Sequence, residues 1–272
     1  ERVAMSVKDT LRNAFVYSTA AVTAFYYKMN ELNQTFAAFE NELINAQSIF
    51  QTNQETLFGL SDEIAKFGLS YGVELQNAST GLYQLASAGL SAEDSLSVLN
   101  DTLTLSMAVQ GDHNTISKLT TQTIFGFGLE MSESTALVDK FAHAINKSLI
   151  EYQDLASAVK FAMPFFVSTG QSVDQLLGSL QVLTNRALEA GIAGRGLRQA
   201  MAEFAEGAED ATRQFAQLGV KVVDSQGNML QLTEIARNFA AAFPDINDNV
   251  ELMTTLLEDL NVRGATAFVH LV

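Results

Sequence analysis

Cysteine is absent from the 272 residues of this chain, and so is tryptophan. Without a thiol the chain has no disulfide, no thiolate nucleophile and no thiolate metal ligand. The absence also leaves the redox compartment open, because disulfide content is the feature that would have indicated it.

Cationic residues are scarce. The chain has 16 Lys and Arg against 31 Asp and Glu, which gives a formal net charge of −15. A protein that binds DNA or RNA directly needs clustered Lys and Arg to neutralise phosphates, and this chain has no basic run. The composition therefore argues against direct nucleic-acid binding. Its hydrophobic content of 47% is enough for a sizeable core.

Glycine and proline, the residues that interrupt helices, do not occur in the first 58 residues. Apolar residues recur there in alternating steps of three and four, which is the heptad pattern of a coiled coil. The nine positions of this seam are Val22, Phe25, Met29, Leu32, Phe36, Phe39, Leu43, Ala46 and Phe50. We predict that residues 1–58 form a helical rod, about 85 Å long at 1.5 Å per residue, whose seam joins copies of the chain. Phenylalanine at four of the nine positions is unusual in a two-stranded coil, so we expect three copies.

One uncharged stretch lies within the predicted rod, at residues 13–27. It is shorter than the ~20 apolar residues that span a bilayer, and it includes Asn, Ser and Thr. We interpret it as a buried or intersubunit helix face. The alternative is a helical adaptor or membrane-perturbing module that uses this stretch and its aromatic residues.

Glycine returns at Gly59, and from there the chain breaks into short helical units with polar starts. We predict a helical core domain over 59–272, in which Pro164 kinks or ends its helix. The predicted helices lie near 61–68, 73–88, 91–109, 113–125, 132–146, 152–166, 172–190, 196–206, 209–217, 232–242 and 247–260. The predicted fold class is all-α, with a long N-terminal coiled-coil-like helix followed by a multi-helix bundle and one small β-hairpin.

The hairpin is predicted where the helical pattern fails. Mostly β-branched residues at 220–223 are followed by Asp, Ser, Gln, Gly and Asn, and then by a second apolar pair at 229–230. Two short apolar runs around such a turn are typical of a β-hairpin. We expect Asp224 and Gly227 to form the structural turn near 220–230, with Gly227 at positive φ.

No constellation of catalytic or metal-binding residues is recognisable. The three histidines have no second histidine or carboxylate at ligand spacing. The segment from Asp245 starts like a calcium loop but lacks the glycine and the final glutamate that such a loop needs. The Gly-x-Gly pairs at 126–128 and 194–196 have no P-loop lysine, and we interpret them as loop glycines between helices. We predict no enzyme activity, no cofactor and no metal site.

From about residue 65 the order of short motifs resembles one family, the core region of phage tail tape-measure proteins. The motif LA-x-AGLS stands at 85–91 and FGL at 127–129. A glycine-rich motif that ends in Leu-Arg follows at 191–198, here GIAGRGLR, and LGV with a later Asp and Gly follows at 218–227. The order and spacing of these motifs carry the resemblance.

The resemblance implies a structural protein that fills the tail tube during assembly, sets tail length and is released when DNA leaves. It implies a location in the lumen of the virion tail, after assembly in the cytoplasm of the bacterial host. The implied partners are further copies of the chain, tail-tube proteins, tail-tip or baseplate proteins, and tail assembly chaperones. In the alternative, the adaptor or membrane-perturbing module contacts the host membrane during genome delivery. Helix geometry suits a ruler because helix length is proportional to residue number.

Overall fold

The computed structural model of the chain describes residues 34, 37–46, 48–50, 59, 61–66, 75–206, 219–244, 254, 256 and 260–272. These residues are all-α, as predicted, and they contain no β-strand. The chain divides into two compact units, Glu1–Ala92 and Glu93–Val272. The predicted end of the rod at residue 58 falls among residues that are not described.

The first unit has helical residues at 37–46, 48–50 and 61–66, followed by helix α1, Leu75–Ser87. The predicted glycine stop is confirmed at Gly89, which has a φ of +91°. The Leu90 N–H donates to the Leu85 carbonyl at 3.3 Å, so the backbone reverses direction after the last turn.

Four positions of the predicted seam are described, and all four are helical. Phe39 and Leu43 are 5% and 3% exposed, Ala46 is fully buried and Phe50 is half-buried. Residues of the same chain therefore cover this part of the seam. The other five positions, which lie outside the described residues, are Val22, Phe25, Met29, Leu32 and Phe36. The long coiled-coil helix stays a prediction.

Eight further helices follow along the described chain, most of them close to their predicted positions. They are α2 (Ala92–Ala108), α3 (His113–Phe127), α4 (Ser134–Asn146), α5 (Tyr152–Ser168), α6 (Val173–Asn185), α7 (Ala190–Glu206), α8 (Leu232–Ala242) and α9 (Asn261–Leu271). The predicted start at Ser172 is confirmed, because its Oγ accepts a hydrogen bond from the Gln175 N–H at 3.2 Å. Helix α9 was not predicted, and the predicted helices at 209–217 and 247–260 lie largely outside the described residues.

Two predicted helix boundaries are wrong. The helix expected at 172–190 ends at Asn185, and the next begins at Ala190 instead of residue 196. Of the two outcomes expected at Pro164, a kink or a helix end, the end does not occur, because α5 continues to Ser168. Pro164 and Lys160 lie on the exposed side of α5, where water can satisfy the carbonyl that proline leaves unpaired.

The predicted hairpin at 220–230 is not a strand pair. An isolated antiparallel bridge joins Val223 and Met229, and no ladder extends from it. The Leu230 N–H donates to the Val222 carbonyl at 2.9 Å. Pairing stops there because helix α8 begins at Leu232 and leaves no residues for a second strand.

The core of the second unit is one continuous cluster of buried side chains contributed from α2 to α9. Helices α5, α7 and α9 pack side by side, with α7 in the middle. Phe141, Phe166, Phe239 and Phe268 are among the largest side chains that are fully buried. Helix α7 is therefore the element around which this unit is organised.

Candidate functional site

Helix α7 carries the glycine-rich motif of residues 191–198, and it is the candidate site of this chain. The prediction that Gly194 and Gly196 are loop glycines is wrong, because both lie inside the helix. Gly126 is likewise helical, whereas Gly128 does end its helix, with a φ of +65°. Since glycine costs a helix interior about 1 kcal/mol relative to alanine, glycines at these positions need a packing reason.

The reason is close approach of neighbouring helices. A Cβ at Gly194 would lie 2.6 Å from the Ala158 carbonyl oxygen of α5, closer than real contacts allow. On the α9 side, a Cβ at Gly196 would lie 2.6 Å from the Cβ of Ala267. Gly264 of α9 returns the contact, since a Cβ there would lie 3.0 Å from the Ala200 nitrogen. Glycine on both sides thus brings three helix backbones together.

Aromatic rings pack together between α7, α8 and α9, toward the C-terminal end of α7. The Phe204 ring of α7 meets the Phe268 ring of α9 edge-on, with centroids 5.4 Å apart. Phe268 in turn meets Phe239 of α8 at 5.1 Å, again nearly perpendicular. Edge-to-face pairs of this kind add stability beyond the area they bury, so α8 is fixed to the same core.

On the outer side of α7, two arginines stack on phenylalanines of α5. The Arg195 guanidinium lies 5.2 Å from the centre of the Phe161 ring, and that of Arg198 lies 5.7 Å from the Phe165 ring. Neither arginine forms an ion pair with the part of the chain that the structure describes. A stacked guanidinium keeps its edge N–H groups free for hydrogen bonds, so both cations remain available to carboxylates.

A buried glutamine joins the loop before α6 to the segment that starts α8. The Gln171 Nε2 donates to the Leu230 carbonyl at 3.0 Å, and its Oε1 accepts from the Leu232 N–H at 2.8 Å. Gln175 adds a second acceptor, for the Thr233 N–H at 3.2 Å. Helix α8 has no side-chain cap of its own, so α6 and its preceding loop supply one.

The predicted turn residues form one exposed turn. The Asp224 Oδ1 accepts hydrogen bonds from the backbone N–H groups of Asn228 and Gln226 at 2.9 and 2.8 Å. These bonds, that of Asn228 first, lower the pKa of the Asp224 carboxyl. Gly227 has a φ of +84°, the left-handed conformation that glycine adopts without strain.

Within the described part of the chain, no group of three or more His, Asp and Glu side chains could hold a metal ion. No described helix is long and apolar enough to cross a membrane. The stretch at 13–27 considered for membrane contact lies outside these residues.

Pattern reasoning missed the packing role of α7. The motif at 191–198 indicates the family, but the sequence prediction places its glycines in a loop. A usable signal was present, since Ala190, Ala193, Gly194, Leu197 and Met201 recur at helical spacing across the glycines. The stacking of Arg195 and Arg198 had no sequence signal, because their partners lie on another helix.

Comparison with known proteins covers the same helices. Residues 61–260 match the family described as phage-related minor tail protein. The chain is 26% identical over 196 residues to the tape measure protein of Pneumococcus phage Dp-1, a match that covers 72% of this chain and 17% of that protein. It is 23% identical over 117 residues to the probable tape measure protein of Escherichia phage P2, covering 43% of this chain and 14% of that protein. No solved structure matches the chain.

The chain thus spans less than a fifth of the length of the curated relatives it matches. The family match includes α1 to α8 in full, and with them the glycine-packed helix α7. It confirms the predicted resemblance to tape-measure proteins: the chain belongs to the phage-related minor tail protein family.

Proposed function

We propose that this chain is a segment of a tape-measure protein that sets tail length while the tail tube assembles. The observation that carries the proposal is its similarity to a phage tape measure protein over 72% of its residues. In this proposal the protein occupies the tail lumen and is released before or during DNA ejection. It contacts tail-tube, tail-tip or baseplate proteins, and assembly chaperones deliver it.

The charge of the chain suits this role. With a net charge of −15, the chain repels DNA at short range instead of binding it. Repulsion from DNA helps a protein to leave a channel ahead of the genome, because attraction to the DNA phosphates would slow its exit from the channel.

The measuring part is proposed to be the helical rod of residues 1–58. An α-helix adds about 1.5 Å for each residue, so removal of four heptads shortens it by about 42 Å. The experiment is an in-frame deletion of 22–49 in the complete phage gene, paired with a tandem duplication of the same residues. Electron micrographs should show tails shorter by about 42 Å in the first phage and longer by about 42 Å in the second.

The duplication is the more informative of the two variants, because it keeps the buried residues Phe39, Leu43 and Ala46, which the deletion removes. Normal numbers of tails with parental length in the duplication phage would contradict the ruler assignment of this rod. A matched control duplicates 22–28 only, since one heptad of about 10 Å is finer than the spacing of stacked tail rings and should leave the number of rings unchanged.

The seam is proposed to join the rods of three copies through the positions that precede Phe39. Phe25→Asp with Leu32→Asp places carboxylates at two seam positions and should give a monomer by light scattering. Thr23→Asp with Asn30→Asp adds the same charge off the seam and should leave the oligomer intact. An oligomer of unchanged mass in the first variant would contradict the seam.

A further inference from the structure

Helix α2 is joined to the core of the second unit differently from the other helices. Each of the helices α3 to α9 contributes at least three side chains to that core, whereas α2 contributes only Leu105. Val98, Leu99 and Leu103 of α2 are fully buried but are not part of the core. Burial against the core, which stabilises the other helices, therefore holds α2 only weakly.

A buried carboxylate provides the first polar joint between α2 and the rest of the unit. Asp101 of α2 is 8% exposed, and its Oδ2 accepts hydrogen bonds from the Ser134 hydroxyl at 2.5 Å and the Thr135 hydroxyl at 3.1 Å. These two residues begin α4, a helix that has no side-chain cap of its own. The carboxylate thus lies where the N-terminus of a helix favours negative charge.

The second polar joint connects α2 with the start of α3, where the Thr102 Oγ1 lies 3.0 Å from the His113 Nε2. Ser95 precedes Thr102 by seven residues and therefore lies on the same side of α2. Ser117 follows His113 by four residues and lies on the same side of α3. Both serine hydroxyls are buried without a hydrogen-bond partner among the described residues. Water can satisfy them when the two helices separate, which lowers the free-energy cost of separation.

We propose that α2 is a releasable helix, which undocks from the core about the loop at 109–112 while α3 to α9 stay folded. The two joints together form what we call the α2 latch, whose residues are Asp101, Thr102, His113, Ser134 and Thr135. On release, water replaces every hydrogen bond of the latch, so the net cost of opening is modest. Separation of α5, α7 and α9 would instead expose apolar surface, which water does not compensate. The latch is therefore the first contact of this unit to open.

The position of α2 in the chain gives its release a mechanical role. Helix α2 begins at the boundary between the two units, so tension applied through the first unit reaches α2 before any other helix of the second. An undocked α2 adds its own length, about 25 Å for 17 residues, to the chain that precedes the core. This use rests on the proposed function, in which release is the first step by which the folded body lengthens when the protein leaves the tail. The latch itself does not depend on that function.

Thiol labelling tests the release, since the chain has no cysteine of its own. A buried thiol reacts only when the structure around it opens, so its labelling rate reports the opening. Ser95→Cys places the probe in α2, and Ser179→Cys, at a buried serine of α6, is the matched control. In the full native chain, the thiol at 95 should react at least about tenfold faster than the thiol at 179, because only the latter requires the core to open.

Removal of the latch carboxylate separates release of α2 from fraying of its first turn. Asp101→Ala should speed labelling at position 95 at least about tenfold, because two hydrogen bonds to a charged acceptor are lost. The same substitution should leave the rate at position 179 unchanged. Asp139→Ala, at an exposed aspartate of α4, is the control and should alter neither rate. Asp101→Asn keeps the shape of the side chain, so it should give a smaller acceleration and serves if the alanine variant does not fold.

Two results would overturn the proposal. One is equal labelling at 95 and 179 in the chain that keeps Asp101, and the other is an effect of the Asp101 variants that is absent or is the same at both sites. These rates are measured on the purified chain and do not involve tail length, so they leave the proposed ruler function untouched. Tails of unchanged length in the duplication phage would likewise leave the latch untouched.

Discussion

Protonation of His113 should destabilise the second unit as the pH falls. His113 begins α3 and is 9% exposed, with its Nε2 3.0 Å from the Thr102 Oγ1. In the tautomer with a proton on Nε2, His113 donates to the Thr102 hydroxyl, which in turn donates to the Val98 carbonyl at 2.8 Å. The Nδ1 is then unprotonated, and it has no hydrogen-bond partner among the described residues.

The magnitude follows from the pKa. Burial lowers the pKa of His113 from 6.5 to about 4, while the neighbouring Asp112 carboxylate opposes the change. Because the folded pKa lies below the unfolded value, this stabilisation is complete above pH 6.5 and is lost as the pH falls through 4. At 1.36 kcal/mol for each pKa unit, the loss in free energy of unfolding is about 3 kcal/mol.

The assay compares urea denaturation of the parent and of His113→Gln between about pH 7.5 and pH 4. The glutamine amide can donate a hydrogen bond to Thr102 but does not titrate. The free energy of unfolding of this variant should therefore lack the decrease with falling pH that His113 causes. Effects of carboxylates such as Asp224, whose pKa is also lowered, occur in both proteins and cancel in the comparison. Parallel stability curves for the two proteins, or an NMR titration of His113 near its ordinary pKa of 6.5, would refute this reasoning.

Three further substitutions test the helix packing, the cap of α8 and the exposed turn, and the first two have a matched control. Gly194→Ala should lower the free energy of unfolding by about 1–3 kcal/mol, because its Cβ would overlap the α5 backbone. Gly178→Ala in α6, where the added Cβ meets nothing within 4 Å, should raise it by up to about 1 kcal/mol. Gln171→Ala should lower the free energy of unfolding by about 1–3 kcal/mol, because it leaves buried backbone groups unpaired. Its control, Gln181→Ala, removes no side-chain hydrogen bond in the described structure and should change this free energy by less than about 0.5 kcal/mol. Gly227→Val should lower the free energy of unfolding by about 1 kcal/mol or more, because valine is strained at the positive φ of this position. For each variant expected to be destabilised, a melting temperature equal to that of the parent would contradict the structural feature it tests.

Helix positions were the part of the fold most accessible to prediction, because the signals that set them are local. Ser172 caps the helix that follows it through a residue three positions away. Gly89 and Gly128 end helices through their own backbone conformation. Such effects depend on a few neighbouring residues, and the sequence displays them directly.

The site was less accessible because its determinants are distant in sequence. Glycine within a helix is indistinguishable from a helix stop until the partner backbone is known, and for Gly194 that partner is Ala158. Gln171 is an ordinary polar residue in the sequence, yet it caps a helix that begins at Leu232. The hairpin prediction failed for a related reason, since a correct turn at Asp224 was followed by too few residues before α8.

Because the second unit folds around a single continuous core, each of its residues contributes less length than a residue in one extended helix. Drawn out as one helix, the stretch Glu93–Val272 of about 180 residues would reach about 270 Å. Folded around α7, a body of that size has a radius of gyration of about 16 Å. If the protein sets tail length as proposed, residues added to the loops of this unit leave tail length unchanged. Only residues added to extended helical segments increase it. On that proposed role, the gene can gain or lose folded bodies of this kind without changing the tail length.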